Sequence, residues 1–282
     1  MAEHFAAPPG WTWYIALYFF LAGLAGGSYV LATIMRLRGS SQDAPIVRIG
    51  YLLPLPLVVV CALFLTLDLG TPLRFWHMLI NTTPGDVGLN FHYWSPMSVG
   101  VWALSIFGAF TLLSFLEARG NLRRLPDAIP IVGSLFALYL ASYTGVLLSV
   151  SNQPVWSDTW ALGGLFLASG LSGSAALLVW LGRYVNGAPQ TEARLSKADG
   201  YFALLELAFI VAFFITIAIA GTIGKTVSPF WAILWILVLL SLLPGIRAVV
   251  ARREAPESVA ASVAVIAGVL LMRLVIVFSA QS

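Results

Sequence analysis

Charge is scarce in this sequence. Asp, Glu, Lys and Arg make up 10% of its 282 residues, against 60% hydrophobic. A soluble domain carries about a quarter charged residues, so this shortage excludes one. Long apolar runs fill the chain instead. Eight runs of roughly 20 residues, each enough to cross about 30 Å of hydrocarbon, lie near 12–34, 46–68, 96–116, 127–150, 160–181, 200–223, 230–250 and 258–279. The short alternating segments of a membrane β-barrel are missing. The expected fold is all-α: one polytopic integral membrane domain over residues 1–282 with eight transmembrane helices.

Cysteine and histidine are nearly absent. The single cysteine, Cys61, sits inside the second run. It has no partner for an internal disulfide and supplies neither a metal site nor an iron–sulfur cluster with a ligand set; it reads as a small buried core residue. The three histidines, His4, His77 and His92, all fall outside the apolar runs. A membrane-embedded b-type haem needs axial ligands within the spans, so that reading is excluded. If the chain handles electrons, they pass to a cofactor in another subunit.

The basic residues are plentiful on one side only. Arg36, Arg38, Arg48, Arg119, Arg123, Arg124, Arg183, Arg194, Lys197, Arg247, Arg252 and Arg253 fall in or beside the connections after the odd-numbered runs, leaving only Arg74, Lys225 and Arg273 elsewhere. Positive charge is retained inside during insertion. Both termini are therefore expected outside, in the inner (cytoplasmic) membrane of the cell, and the pI near 9.2 needs no nucleic acid to explain it. The N-terminus lacks a basic leader and a small-residue cleavage site, so the first run reads as a span.

Few charges lie within the spans. Glu206 and Arg273 do, with Asp68 at a boundary, and such residues usually face a cavity or a partner. At 1.5 Å per residue, Glu206 is expected about 10 Å from the inner end of its run and Arg273 about 10 Å from the outer end of the last. On that estimate the two do not pair, and Arg273 serves an outer polar site near Asp68. Glu206 reads either as the inner half of a proton pathway that includes Arg273 or as an acid satisfied by neighbouring hydroxyls; a purely structural role is the other reading of Arg273.

Tryptophan is lopsided too. Trp11, Trp13, Trp76, Trp94, Trp156, Trp160, Trp231 and Trp235 fall at outer ends of runs, Trp180 lies inside and Trp102 part-way down. Interfacial belts normally occupy both membrane surfaces. The excess on one side suggests a face where a partner docks, with Trp76, His92, Trp94, Trp156 and Trp160 as candidates. An internal repeat is suggested by FFLAGLAGGSYVL (19–31) and LFLASGLSGSAAL (165–177), whose small residues permit close helix approach. It would divide the chain into two four-helix halves, 12–150 and 160–279.

One stretch, LTLDLGTPLRFWHMLI (65–80), places an acid, a base and an imidazole within ten residues at the end of an apolar run. Gly70 and Pro72 end the second run, and FWHMLI reads as a short amphipathic piece along the outer interface. Asp68 then meets water beside Arg74, with His77 close in sequence. Two readings follow: an Asp–Arg pair that locks a loop, or the lip of a reactive site.

Taken in order, DLGTPLRFWHML (68–79), SPMSVGVW (95–102), YTGVLLS (143–149), GLSGSAALL (170–178) and RLVIVFSAQ (273–281) resemble the NrfD-like membrane subunits, which include the membrane subunit of polysulfide reductase. The resemblance covers nearly the whole chain. It implies a subunit without haem or metal that reacts with menaquinone or ubiquinone. The family usually sits under a ferredoxin-like subunit with four iron–sulfur clusters, often with a molybdopterin catalytic subunit above. Many relatives have a basic residue at the position of Thr71 and Gly at that of Ala280, and some use Asn and His from the first helix, which here offers only Thr12, Tyr14, Tyr18, Ser28, Tyr29 and Thr33. A quinone site at the outer face would draw on Asp68, Arg74, His77, Tyr143 and Arg273, with Asp68 taking a proton, an arginine tuning it, and Tyr143 bonding a quinone oxygen. The rival expectations are a secondary transporter, which would place its polar groups near the midplane, and an anchor without quinone chemistry.

Overall fold

The computed structural model describes residues 9–84, 86–185, 187–250 and 258–281. His4, Arg252 and Arg253 lie outside the described residues. Among them, eight helical spans are long and apolar enough to cross a membrane. The chain is a multi-pass helical membrane protein, with α1 (Trp13–Arg38), α2 (Ala44–Leu52), α3 (Pro54–Asp68), α4 (Pro96–Arg119), α5 (Ala128–Ser149), α6 (Leu162–Gly182), α7 (Pro189–Ile219), a single turn α8 (Ile223–Thr226), α9 (Pro229–Val250) and α10 (Val259–Ser279).

Local sequence sets the ends. The second span is broken at Leu53, because Pro54 and Pro56 cannot donate to the preceding turn. Ser95 caps α4 by accepting from the Ser98 amide at 3.4 Å, and Gly120 ends that helix at φ 88°, a backbone state glycine adopts without strain.

Two helices lie inside the others. About 89% of the apolar window of α1 and 83% of that of α6 are buried, against 28–50% for the other spans. Their contact explains why: a Cβ on Gly27 would lie 2.7 Å from the Gly170 carbonyl oxygen, so only a bare backbone allows the crossing. The segments 19–31 and 165–177 thus pack on one another at the centre. Around α1 stand α2, α3 and α5, and α4 packs on α2, α3 and α5; around α6 stand α5, α7 and α10, and α9 closes against α7 and α10. The leucines, isoleucines and valines left exposed on the outer helices form the face such a bundle turns to lipid.

Two elements differ from the sequence expectation. The sixth helix begins at Pro189, not near 200, because PQTEARLSKADG continues the helix although it is polar. Residues 80–89 form a hairpin of β1 (Ile80–Thr83) and antiparallel β2 (Asp86–Leu89), after a 3₁₀ segment at Pro72–Met78.

Candidate functional site

A cavity of about 300 Å³ opens where α1, α3, α4 and α5 meet at the end of the bundle away from the arginine-rich loops. Its wall is mostly apolar: Trp11, Ile15, Tyr18 and Phe19 on the α1 side, Leu65 on α3 and Leu69 just beyond its end, Met97, Val101 and Leu104 on α4, and Leu147 on α5. Phe75, Met78 and Leu79 from the 3₁₀ segment and its cap cover it. The polar groups on the wall include Thr66, Asp68, Ser105 and Tyr143.

Asp68 is the last residue of α3 and stands exposed at the rim, where Thr12 donates to its Oδ1 at 3.3 Å. Tyr143, 6% exposed, is deeper, and its hydroxyl donates to the Pro96 carbonyl at 2.5 Å. Its ring lies in the space a side chain at position 100 would take, so Gly100 makes the pocket possible. The Thr66 and Ser105 hydroxyls donate back to Ala62 and Val101 on their own helices, which leaves their lone pairs facing the cavity. Such an arrangement suits a flat, apolar ligand with hydroxyl groups that each donate a hydrogen bond.

Trp11 forms part of the aromatic wall and is held from several sides. Its amide donates to Gln281 Oε1 at 2.8 Å, its carbonyl accepts from Gln281 Nε2 at 3.3 Å, and its ring stacks on Trp156 at 5.1 Å. The Trp156 indole N–H donates to the Ile276 carbonyl at 2.9 Å.

A family model described as "Polysulphide reductase, NrfD" matches residues 3–282. The chain belongs to that family. It is 31% identical over 194 residues to a polysulfide reductase chain of Wolinella succinogenes, an alignment covering 61% of this chain and 58% of that one. Against protein NrfD of Escherichia coli K12 it is 25% identical over 301 residues, 96% of this chain and 95% of the other. A selenate reductase subunit of Mesobacillus selenatarsenatis is 27% identical over 107 residues, 38% of this chain and 22% of that one. The chain thus spans a little over half of the polysulfide reductase relative and nearly all of NrfD.

In this NrfD-family protein the residues singled out in the sequence do not all converge. Asp68 and Tyr143 line one cavity. Arg74 is exposed beside it and makes no ion pair with Asp68, so the loop-lock reading is not realised in the structure. His77 bonds Thr82 through Nδ1 at 3.2 Å and stacks on Trp76 at 3.8 Å, outside the cavity. Arg273 is fully buried, and its guanidinium donates to the Phe19 and Phe166 carbonyls, to Ser169 Oγ and to the Val269 carbonyl, with the Phe166 ring 4.7 Å away. It ties α10 to α1 and α6 behind Phe19, and not beside Asp68 as its depth in the sequence implied.

Glu206 sits further along its helix than the apolar run alone suggests. It lies 17 residues after Pro189 and 13 before Ile219, near the middle of α7. Among the described residues no hydrogen bond or ion pair joins it to Arg273. Both Glu206 carboxylate oxygens are buried without a hydrogen-bond partner. Two turns earlier, on the same face, Asp199 is fully buried and accepts from the Ser172 hydroxyl at 2.5 Å; its spacing of seven from Glu206 was the signal that could have found it.

The docking candidates divide as well. Trp94 and Trp160 are 67% and 71% exposed, Trp76 is 40% exposed, and His92 is exposed with its ring 5.0 Å from that of Trp94. Trp156 is wholly buried and is withdrawn as a docking residue. It is tucked under by Val155, whose φ of 76° is strained for a β-branched residue and whose amide is held by the Asp158 carboxylate at 2.8 Å. Among the described residues, no three His, Cys, Asp or Glu side chains are grouped to hold a metal ion.

Proposed function

We propose that this protein is the quinone-reactive membrane subunit of a multi-subunit oxidoreductase, exchanging electrons between menaquinone or ubiquinone and an iron–sulfur subunit docked at the outer face of the inner membrane. The observation that carries this reading is the apolar cavity with one carboxylate at its rim and one tyrosine in its wall. The names of the relatives place them in polysulfide and selenate reductases, and the same setting is proposed here, with a ferredoxin-like subunit and a molybdopterin catalytic subunit as partners.

The chemistry asked of this chain is modest. Quinol oxidation releases two electrons and two protons, so each hydroxyl needs an acceptor and a way to water. The apolar wall takes the ring and the start of the isoprenoid tail. Since the Tyr143 proton is engaged by the Pro96 carbonyl, the lone pairs of its oxygen are left to accept from one quinol hydroxyl. Asp68, at the rim and steadied by Thr12, accepts the two protons in turn and passes each to water, as a positioned carboxylate can, while the two electrons leave to the iron–sulfur subunit. Quinone reduction runs the same steps backward. The exposed Trp76, His92, Trp94 and Trp160 provide the platform for the electron-accepting partner, as aromatic residues do at interfaces.

A proton pathway through Glu206 and Arg273 fits the same proposal. It is supported by the unpartnered Glu206 carboxylate and by the buried Asp199 below it.

The test is Asp68→Asn in the assembled complex. Quinol-dependent turnover should fall by about a hundredfold or more while the partner subunits still co-purify. Unchanged turnover sinks the proton-acceptor role. A complex that holds iron and molybdenum but is indifferent to quinone analogues would leave this protein an anchor only.

A further inference from the structure

A second cavity, of about 310 Å³, lies at the opposite end of the bundle, between the last turn of α1, the face of α2 and the end of α4. It shares no residue with the quinone cavity and does not depend on that reading. Three arginines surround it: Arg36, Arg48 and Arg124, with Glu117 the one acidic residue in the lining.

The arginines are not equivalent. Arg36 is spent on the protein. It grips both Glu117 oxygens at 2.8 and 2.9 Å, Asp127 Oδ1 at 3.0 Å and the Leu125 carbonyl at 2.7 Å, and so forms a fixed floor. Arg48 is steadied only through Nε, which donates to the Ala118 carbonyl at 3.0 Å. Its terminal nitrogens make no hydrogen bond among the described residues. Arg124 stands 3.6 Å from Asp127 with 72% of its side chain exposed. Arg48 and Arg124 therefore face one concavity, Arg48 with free terminal donors and Arg124 in a long pair with Asp127, an acid that Arg36 also engages, as it does Glu117. Three positive charges meet two negative ones, and the excess lies on the open side.

Retention of positive charge explains why arginines gather at this end. It does not explain a cavity with one arginine locked as the base and two others, only loosely held, lining its open side. Planar forks of this kind match the oxygens of a phosphate. Met35 and Val47 in the same lining give the cavity an apolar wall, at the level where the helices leave the hydrocarbon.

We infer that this cavity is a binding site for a phosphate-bearing anion, seated between Arg48 and Arg124 and supplied by the headgroup of an anionic phospholipid of the inner leaflet. Basic pockets between helix ends on this side of a membrane suit such headgroups. Free phosphate shares the chemistry, and the experiment separates the two sources.

The full-length protein, with whatever subunits co-purify, is exchanged into detergent containing phosphatidylglycerol, cardiolipin or phosphatidylethanolamine and examined by native mass spectrometry. Thermal unfolding is followed in parallel with inorganic phosphate alone. Wild type should retain phosphatidylglycerol or cardiolipin in preference to phosphatidylethanolamine. Arg48→Gln/Arg124→Gln should hold the anionic lipids about thirtyfold more weakly, two arginine contributions near a membrane surface, and Arg119→Gln, at an exposed arginine outside the cavity, should behave as wild type. If the double variant fails to fold, Arg48→Gln alone, at an exposed side chain, makes the same comparison. Stabilisation by inorganic phosphate in wild type only, without lipid retention, keeps the site and assigns it to a free anion. Equal lipid retention and equal response to phosphate in wild type and variants overturn the inference.

Discussion

Thr12 Oγ1 reaches Asp68 Oδ1 at 3.3 Å across the mouth of the proposed quinone cavity. The contact joins the residue before α1 to the last residue of α3, so the rim carboxylate is positioned by a helix start and a helix end at once. Thr12→Val removes the hydroxyl and keeps the shape. Quinol-dependent turnover should drop about fivefold, the worth of one hydrogen bond of about 1 kcal/mol, with assembly unchanged. A loss as deep as that of Asp68→Asn would mean that Thr12 itself takes part in the chemistry.

Tyr143 and Gly100 form one device, ring against bare backbone. Tyr143→Phe keeps the ring and should cost about 1 kcal/mol of stability or less, while titration with a quinone analogue shows weakened binding. Gly100→Ala should displace the ring and impair binding more than Tyr143→Phe does. Equal analogue affinity in wild type and both variants would remove this wall from the site.

The tryptophans separate by burial. Trp156→Leu deletes a fully buried ring and its bond to the Ile276 carbonyl, a change that should cost about 3 kcal/mol or more, visible as a lower unfolding temperature of the protein itself. Trp94→Ala and Trp160→Ala, at exposed positions, should leave that temperature within a degree or two and instead weaken co-purification of the partner. If partner retention survives both exposed changes, docking lies elsewhere.

Gly27 faces the Gly170 carbonyl at the α1–α6 crossing. Gly27→Val forces the two central helices apart and should cost at least about 1–3 kcal/mol. Size-exclusion profiles in mild detergent would show it as loss of the monodisperse peak.

Much of this architecture could be read from the sequence, and the failures have physical causes. The spans were legible because hydrocarbon thickness dictates their length. That Asp68 and Tyr143 share one cavity was legible because each is a polar group near the end of an apolar run on the same side. Glu206 lies near the middle of its helix, and not near its start, because the polar stretch after Pro189 is helical beyond the apolar run and hydropathy marks only the lipid-facing length. Arg273 was misassigned because depth alone does not say which way a side chain points around its helix; its partners are carbonyls on α1 and α6, which no sequence pattern announces. Trp156 was taken for a surface anchor because a tryptophan in a polar loop resembles one, and only the turn at Val155 shows it folded inward. The hairpin at 80–89 was missed although Pro84 and Gly85 mark a turn.

The central position of α1 bears on how the bundle is made. α1 is the first of these spans to be synthesised and the most enclosed once folding ends. Its tightest crossing partner, the stretch of α6 around Gly170, follows well over a hundred residues later. Throughout that interval the glycine-lined side of α1 has to wait against lipid or the insertion machinery, uncovered. Assembly is therefore completed from the second half backward onto the first. Truncation after α5 would leave one side of the innermost helix bare, a ready target for membrane proteolysis.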